Sequence, residues 1–379
     1  MWKRVRAKAM VRRRAMSTGK VGFERIFVKC GSGSQVMVEL HNAPARQAEL
    51  PLVVVVPGGP YTRDSDIKAP QWTSGAQLPG FLSQWPCAII NYQWERIRAG
   101  NCYSWPGPVH QVTFAYEWLV KHLAPGDCQR RDIYVYASGL GAGLGAGLAL
   151  TQAHSHGGFG IRGLVCLSGI YNWTMFLPDH GINRLAPTGL EEEPHIGRMR
   201  SIMHMLFGKP ADLFDPFASP SLFLHSPSFE VPDTFTMTQQ ESLLRGLEAR
   251  RGTTRVLSEP RQSRVSHLIF PPRDSTLKLP RTKLLTYRSQ QRHQGNRHPH
   301  TLLRQAEEMR DLMRFSVAAE ETKARDVWDQ EGDNSEAAAL AQAEAKRRVQ
   351  VGQVNSHDTI VDMDQESGNE VLEWIQSGS

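Results

Sequence analysis

The run Leu52-Val-Val-Val-Val56 constrains the fold more than any other segment. Five consecutive apolar residues, four of them β-branched, suit a strand covered on both faces, the condition met inside a parallel sheet. Three further runs read the same way: Cys87-Ala-Ile-Ile-Asn-Tyr92, Ile133-Tyr-Val-Tyr136 and Gly163-Leu-Val-Cys-Leu167. Between them the apolar spacing predicts an amphipathic helix over 109–123 and a small-residue helix over 141–153. Strand, helix, strand, helix, strand makes right-handed crossovers, hence a doubly wound, mostly parallel α/β sheet. Ahead of this rhythm, residues 20–29 and 35–40 alternate with period two around the turn Gly31-Ser-Gly-Ser34.

After residue 172 the rhythm breaks. Pro and Gly punctuate 173–278, with only short helical patches at 196–206 and 239–250, which reads as a cap insertion over the carboxyl edge of the sheet. Strand character returns at 282–287. A helix follows from 301 to about 319, with Leu302, Leu303, Ala306, Met309, Leu312 and Met313 on one face. A polar, alanine-rich stretch at 329–345, which reads as a solvated loop and helix, precedes a last strand at 348–354 and a closing helix at 368–376. The expected organisation is therefore a basic tail or short presequence (1–20), the first part of the core (21–172), a cap with a basic loop (173–278), and the second part of the core (279–379) with a polar loop near 320–345.

With 379 residues and 40% hydrophobic content the chain can bury a sizeable core. It holds no apolar run of the roughly 18 residues a membrane span needs. Its five cysteines, Cys30, Cys87, Cys102, Cys128 and Cys166, are widely spaced and include no CxxC. That argues against a disulfide framework and a structural zinc site, and for a reducing compartment such as the cytoplasm. The first twenty residues carry eight Lys/Arg and no acid. They fit a mitochondrial presequence or a plain basic tail.

Two segments bear on chemistry. Pro57-Gly58-Gly59-Pro60 follows the buried valine run, where Gly58 and Gly59 let backbone N–H groups approach an oxyanion; a plain turn is the other reading. Tyr136-Ala137-Ser138-Gly139-Leu140-Gly141 spans a strand end and a helix start. In the G-x-S-x-G elbow, small flanks permit a strained turn that lifts a serine above the sheet. Here Ala137 and Gly141 take the flanks and Gly139 the nucleophile position, with Ser138 one place early.

These pieces, in this order, resemble the α/β-hydrolase superfamily, in particular the carboxylesterases related to hormone-sensitive lipase, with hydrolase-like proteins of filamentous fungi as the nearest likeness. The likeness rests on VVVVPGGP (53–60), IYVYASGLGAGLGAGLAL (133–150), RGLVCLSGIYNW (162–173), DPFASPS (215–221), LPRTKLLTY (279–287) and QAEEMRDLM (305–313). It implies an α/β-hydrolase fold with a cap. Carried over residue by residue, it places the family's serine on Gly139, and its acid after Tyr287, where 288–300 contains no Asp or Glu. It leaves His357 as the base beyond the last strand, Pro57 in place of the usual oxyanion-loop histidine, and Pro60 without the N–H of a third glycine. An alternative assembly takes Ser138 as a shifted nucleophile, His300 as base, and Asp233 or Glu230 as acid. Gly58, Gly59, Gly139 and Leu140 would line the oxyanion site.

Other signals are weaker. Residues 241–300 hold 13 Lys/Arg against 4 Asp/Glu, a basic surface or a solvated loop. Only Phe270 and Tyr287 supply aromatic rings there, so no nucleic-acid partner is expected. Gly141-Ala-Gly143-Leu-Gly145-Ala146 fits a dinucleotide fingerprint, but no acid lies between Asp132 and Asp179 to take a ribose. The histidines, including His154, His156 and His180, show no metal-ligand spacing. No cofactor or metal is expected. Two functions stay open: a degenerate α/β hydrolase that binds or scaffolds, and an active esterase of fungal secondary metabolism acting on a small ester or polyketide-like ligand through a pocket edged by Trp94, Trp105, Tyr171 and Trp173. The residues do not set the oligomeric state.

Overall fold

The computed structural model describes residues 14–15, 23–31, 34–42, 50–58, 78–94, 105–125, 130–177, 209–226, 270–272, 274–288, 301–326, 334–355 and 363–378, together with Met199, Met203, Leu206, Phe207 and Leu247. Nine strands form one sheet: β1 (Arg14–Ala15), β2 (Phe23–Lys29), β3 (Gln35–His41), β4 (Leu52–Val56), β5 (Cys87–Asn91), β6 (Arg131–Ser138), β7 (Phe159–Leu167), β8 (Arg281–Tyr287) and β9 (Val349–Val354). Their spatial order is β1-β2-β3-β5-β4-β6-β7-β8-β9. From β4 to β9 every pairing is parallel, while β3 runs antiparallel to both β2 and β5. Leaving aside the two-residue β1, this is the α/β-hydrolase order, eight strands with the second reversed and the third and fourth exchanged.

The valine run behaves as its composition demands. All five residues of β4 are buried. Leu52, Val54 and Val56 face one core, with Ala88, Ile90, Val135 and Ala137. Val53 and Val55 face the other, with Cys87, Ile89, Tyr134 and Tyr136. The period of two thus feeds two cores from one strand. Helices α1 (Gly107–Leu123), α2 (Gly139–Gln152) and α3 (Thr301–Asp326) pack on the first face, with Ala345 of α4 (Asn334–Arg348). Helix α5 (Gln365–Gln376) and a 3-10 turn at Gly80–Leu82 cover the second.

Helix α3 runs further than the expected residue 319, and the helix expected within 329–345 is α4, which takes up most of that stretch. One residue ties the two helices together. Arg348, at the end of α4 and only 6% exposed, reaches Glu321 at 2.7 Å, Glu344 at 3.4 Å and Glu320 at 3.8 Å. The carboxylates that make the segment look solvated in sequence converge on a single buried guanidinium. No described helix is long and apolar enough to cross a membrane.

Strand order also locates the topological switch point of the sheet. The connection after β4 leads to β5 on one side, and the connection after β6 leads to β7 on the other. In open α/β sheets ligands bind outside the carboxyl ends of strands where the connections diverge in this way. Here that switch point lies between Val56 and Ala137, paired in the ladder, and brings Pro57-Gly58 alongside Ser138-Gly139.

Candidate functional site

The turn from β6 into α2 is as tight as its sequence suggests. Ser138 ends the strand in extended backbone, φ −131° and ψ 152°, and caps α2 without a side-chain capping hydrogen bond. Gly139 follows at φ +50°, the left-handed region that glycine enters without penalty. A strand-to-helix turn with one left-handed residue at its tip is the nucleophile-elbow geometry. The residue at the tip is Gly139, which has no side chain. Ser138 points elsewhere: its Oγ lies 3.2 Å from where a Cβ on Gly58 would stand.

The helix start is pressed against the β4 end. A Cβ on Gly141 would stand 2.7 Å from the Val56 carbonyl oxygen and closer still to that of Pro57. Two backbone contacts hold the same segment. Leu140 N–H donates to the Gly58 carbonyl at 3.2 Å, and the Tyr92 hydroxyl donates to the Pro57 carbonyl at 2.9 Å. Glycines 141, 143 and 145, read as a possible phosphate cradle, abut the Val56 carbonyl, the Ile170 carbonyl and the Ala137 side chain respectively. Helix-to-sheet packing accounts for them.

Of the remaining candidates, Gly59, Glu230, Asp233, His300 and His357 lie outside the described residues, as does most of the basic 241–300 segment. Arg288 is described, and its N–H donates to the Val354 carbonyl at 2.9 Å, extending the β8–β9 pairing by one residue.

The expected pocket-edge aromatics are displaced from that role. Tyr171 is 1% exposed, Trp173 4% and Trp94 8%. Trp94 and Trp105 stack at 5.9 Å between centroids, and Phe207 contacts Trp94, Trp105 and Trp173 at 5.9, 5.2 and 5.3 Å. These rings pack on one another as core, because the hydrophobic gain of mutual burial needs no ligand. Tyr171 sits behind the elbow beside Cys166; burial pushes its phenol well above the ordinary range and the Cys166 thiol up to about 12. The 215–221 segment is likewise knitted inward. Asp215 accepts from Trp105 Nε1 at 3.2 Å, and Ser219 Oγ accepts the Trp173 N–H at 3.0 Å while donating to the Leu213 carbonyl at 2.7 Å.

A buried polar cluster beyond β7 was not foreseen. Gln305 of α3, 1% exposed, accepts the N–H groups of Tyr171 and Asn172 at 2.6 and 2.9 Å and donates to the Asn172 carbonyl at 3.0 Å. Its amide serves as a strand neighbour for backbone that has left the sheet. One turn on, Glu308 lies 3.4 Å from the Asn172 amide nitrogen and 3.3 Å from the buried His225 ring. The only sequence signal was a glutamine inside an otherwise apolar helix stripe. Among the described residues no group of three His, Cys, Asp or Glu is arranged to hold a metal.

No protein-family model matches the chain, and neither does any curated protein. Solved structures similar to it include carboxyl esterase 2 of the mycorrhizal fungus Tuber melanosporum, at TM-score 0.47 and 11% identity over 94% of this chain and 85% of that one. A bacterial heroin esterase aligns at TM-score 0.45 and 15% identity, over 96% and 86% of the two chains. Brefeldin A esterase, a bacterial homologue of human hormone sensitive lipase, aligns at 0.44 and 12%, over 96% and 78%. The fold is an α/β-hydrolase fold. The strand order and the β6–α2 turn of this chain carry that assignment.

Proposed function

We propose that this chain keeps the α/β-hydrolase frame as a binding or scaffold protein and has lost covalent serine catalysis. The observation that carries the reading is the tip of the β6–α2 turn, where the positive-φ residue is Gly139. Acyl transfer through an enzyme-bound ester needs a nucleophilic oxygen at that point. A second argument points the same way: residues 288–300, where the resemblance expects the acid, contain none. The ligand position on this reading is the crevice between the carboxyl ends of β4 and β6, and its class a small ester or polyketide-like molecule.

Ser138 supports the competing esterase reading, because its hydroxyl is half-buried and makes no capping bond. One experiment separates the two. Purified protein is assayed with p-nitrophenyl acetate and butyrate and treated with a fluorophosphonate probe. The expected result is hydrolysis at the buffer rate and no labelling. Turnover that disappears in Ser138→Ala would overturn the proposal and install Ser138 as the nucleophile.

A further inference from the structure

We infer that the Pro57–Gly58 segment is a built-in plug of the anion site at this turn, a contact made by the chain itself. The inference rests on the reading of the β6–α2 turn as the remnant of a nucleophile elbow. In such an elbow one oxyanion donor is the N–H of the residue after the tip, and the second comes from the loop after the neighbouring strand. Here the first donor is Leu140 N–H, and the loop is the one leaving β4.

What faces Leu140 is the carbonyl of Gly58, at 3.2 Å. The first donor is already taken by an acceptor of the chain itself. Any incoming oxyanion would have to displace that carbonyl and would meet its negative end. The segment is also braced. Tyr92 Oη holds the Pro57 carbonyl at 2.9 Å, and the missing side chain of Gly141 leaves room for the Val56 and Pro57 carbonyls to sit against α2. The first turn of a helix has N–H groups without intrahelical partners, so an acceptor there is held at little cost to the helix. Opening the plug requires a peptide rotation at Gly58, which glycine can make.

The test is amide hydrogen exchange on the full chain, read by NMR at Leu140. An unbonded first-turn amide exchanges almost freely, whereas the plug should protect it by about 100-fold. Tyr92→Phe removes the brace on Pro57 and should lower that protection at least about tenfold, with Leu148 and Leu150 of the same helix unchanged. Free exchange at Leu140 in the wild type would overturn the inference, and so would protection that Tyr92→Phe leaves intact. Should the variant not fold, the through-hydrogen-bond coupling between Leu140 ¹⁵N and the Gly58 carbonyl ¹³C decides on wild type alone: present supports the plug, absent removes it. Ester turnover by the wild type would defeat the proposed function, while the exchange result still reports on the plug separately.

Discussion

Gly141→Ala sets two known effects against each other. On a helix, replacing Gly by Ala stabilises by up to about 1 kcal/mol, because alanine loses less backbone entropy on folding. The added Cβ, however, would stand 2.7 Å from the Val56 carbonyl oxygen and nearer to that of Pro57. Both are backbone atoms, one at the end of a fully buried strand and the other bonded to Tyr92, so neither swings away as a side-chain tip would. Overpacking of this kind costs about 1–3 kcal/mol, and rigid partners place it near the top of that range. The net expectation is a loss of about 2 kcal/mol. For 379 residues the unfolding entropy is about 0.8 kcal/mol/K, so Tm should fall by about 2–3 °C. Calorimetry measures this directly. A Tm equal to or above wild type would show that the helix start is not pressed on the β4 end, and would undo the geometry on which the elbow assignment stands.

Three other outcomes follow from the same contacts. Gln305→Leu strands two backbone N–H groups and a carbonyl in the core, and should lower stability by about 3 kcal/mol and Tm by about 4 °C; a melt within 1 °C or so of wild type counts against the clamp. Arg348→Met leaves Glu320, Glu321 and Glu344 facing one another, at a similar cost of about 3 kcal/mol near neutral pH. The loss should shrink in acid. Hydrogen bonding from Arg347, with Arg348 adding to it, outweighs burial and holds Glu344 below its ordinary range. Its contribution is therefore full above the unfolded value and fades as pH falls through the folded one, which lies below the ordinary carboxylate range, so melts at pH 7 and about pH 3 that show an equal deficit refute the account. Cys166, with its thiol pushed up to about 12 and fully buried, should resist thiol reagents at pH 8 until the chain unfolds, as site-resolved mass spectrometry after labelling can show. Early labelling of Cys166 in the native protein would contradict its burial.

Much of the frame was legible because it is written in local patterns. The β-branched run at 52–56, the apolar runs at 87–92 and 133–136, and the helical spacing from Leu302 to Met313 each name their own structure. The elbow was legible for a related reason: small residues around Gly139 have few other uses between a strand and a helix. The aromatics misled because sequence shows that Trp94, Trp105 and Trp173 follow strand ends or precede a helix, but not that Phe207 fills the space among them. The extent of α3 was underestimated because Glu320 and Glu321 look solvated until the arginine that gathers them is known.

The amino-acid sequence alone determined the layered α/β architecture, and it put glycine at the tip of the β6–α2 turn, since both depend on neighbours a few positions apart. Tertiary structure decided which distant groups hold the backbone around that turn and beyond β7. The Gly58 carbonyl on Leu140, the Tyr92 hydroxyl on Pro57 and the Gln305 amide on Asn172 join residues 35 to 133 positions apart. No periodicity encodes such pairs; they arise when a buried backbone group must find a partner and the packed sheet leaves only one within reach.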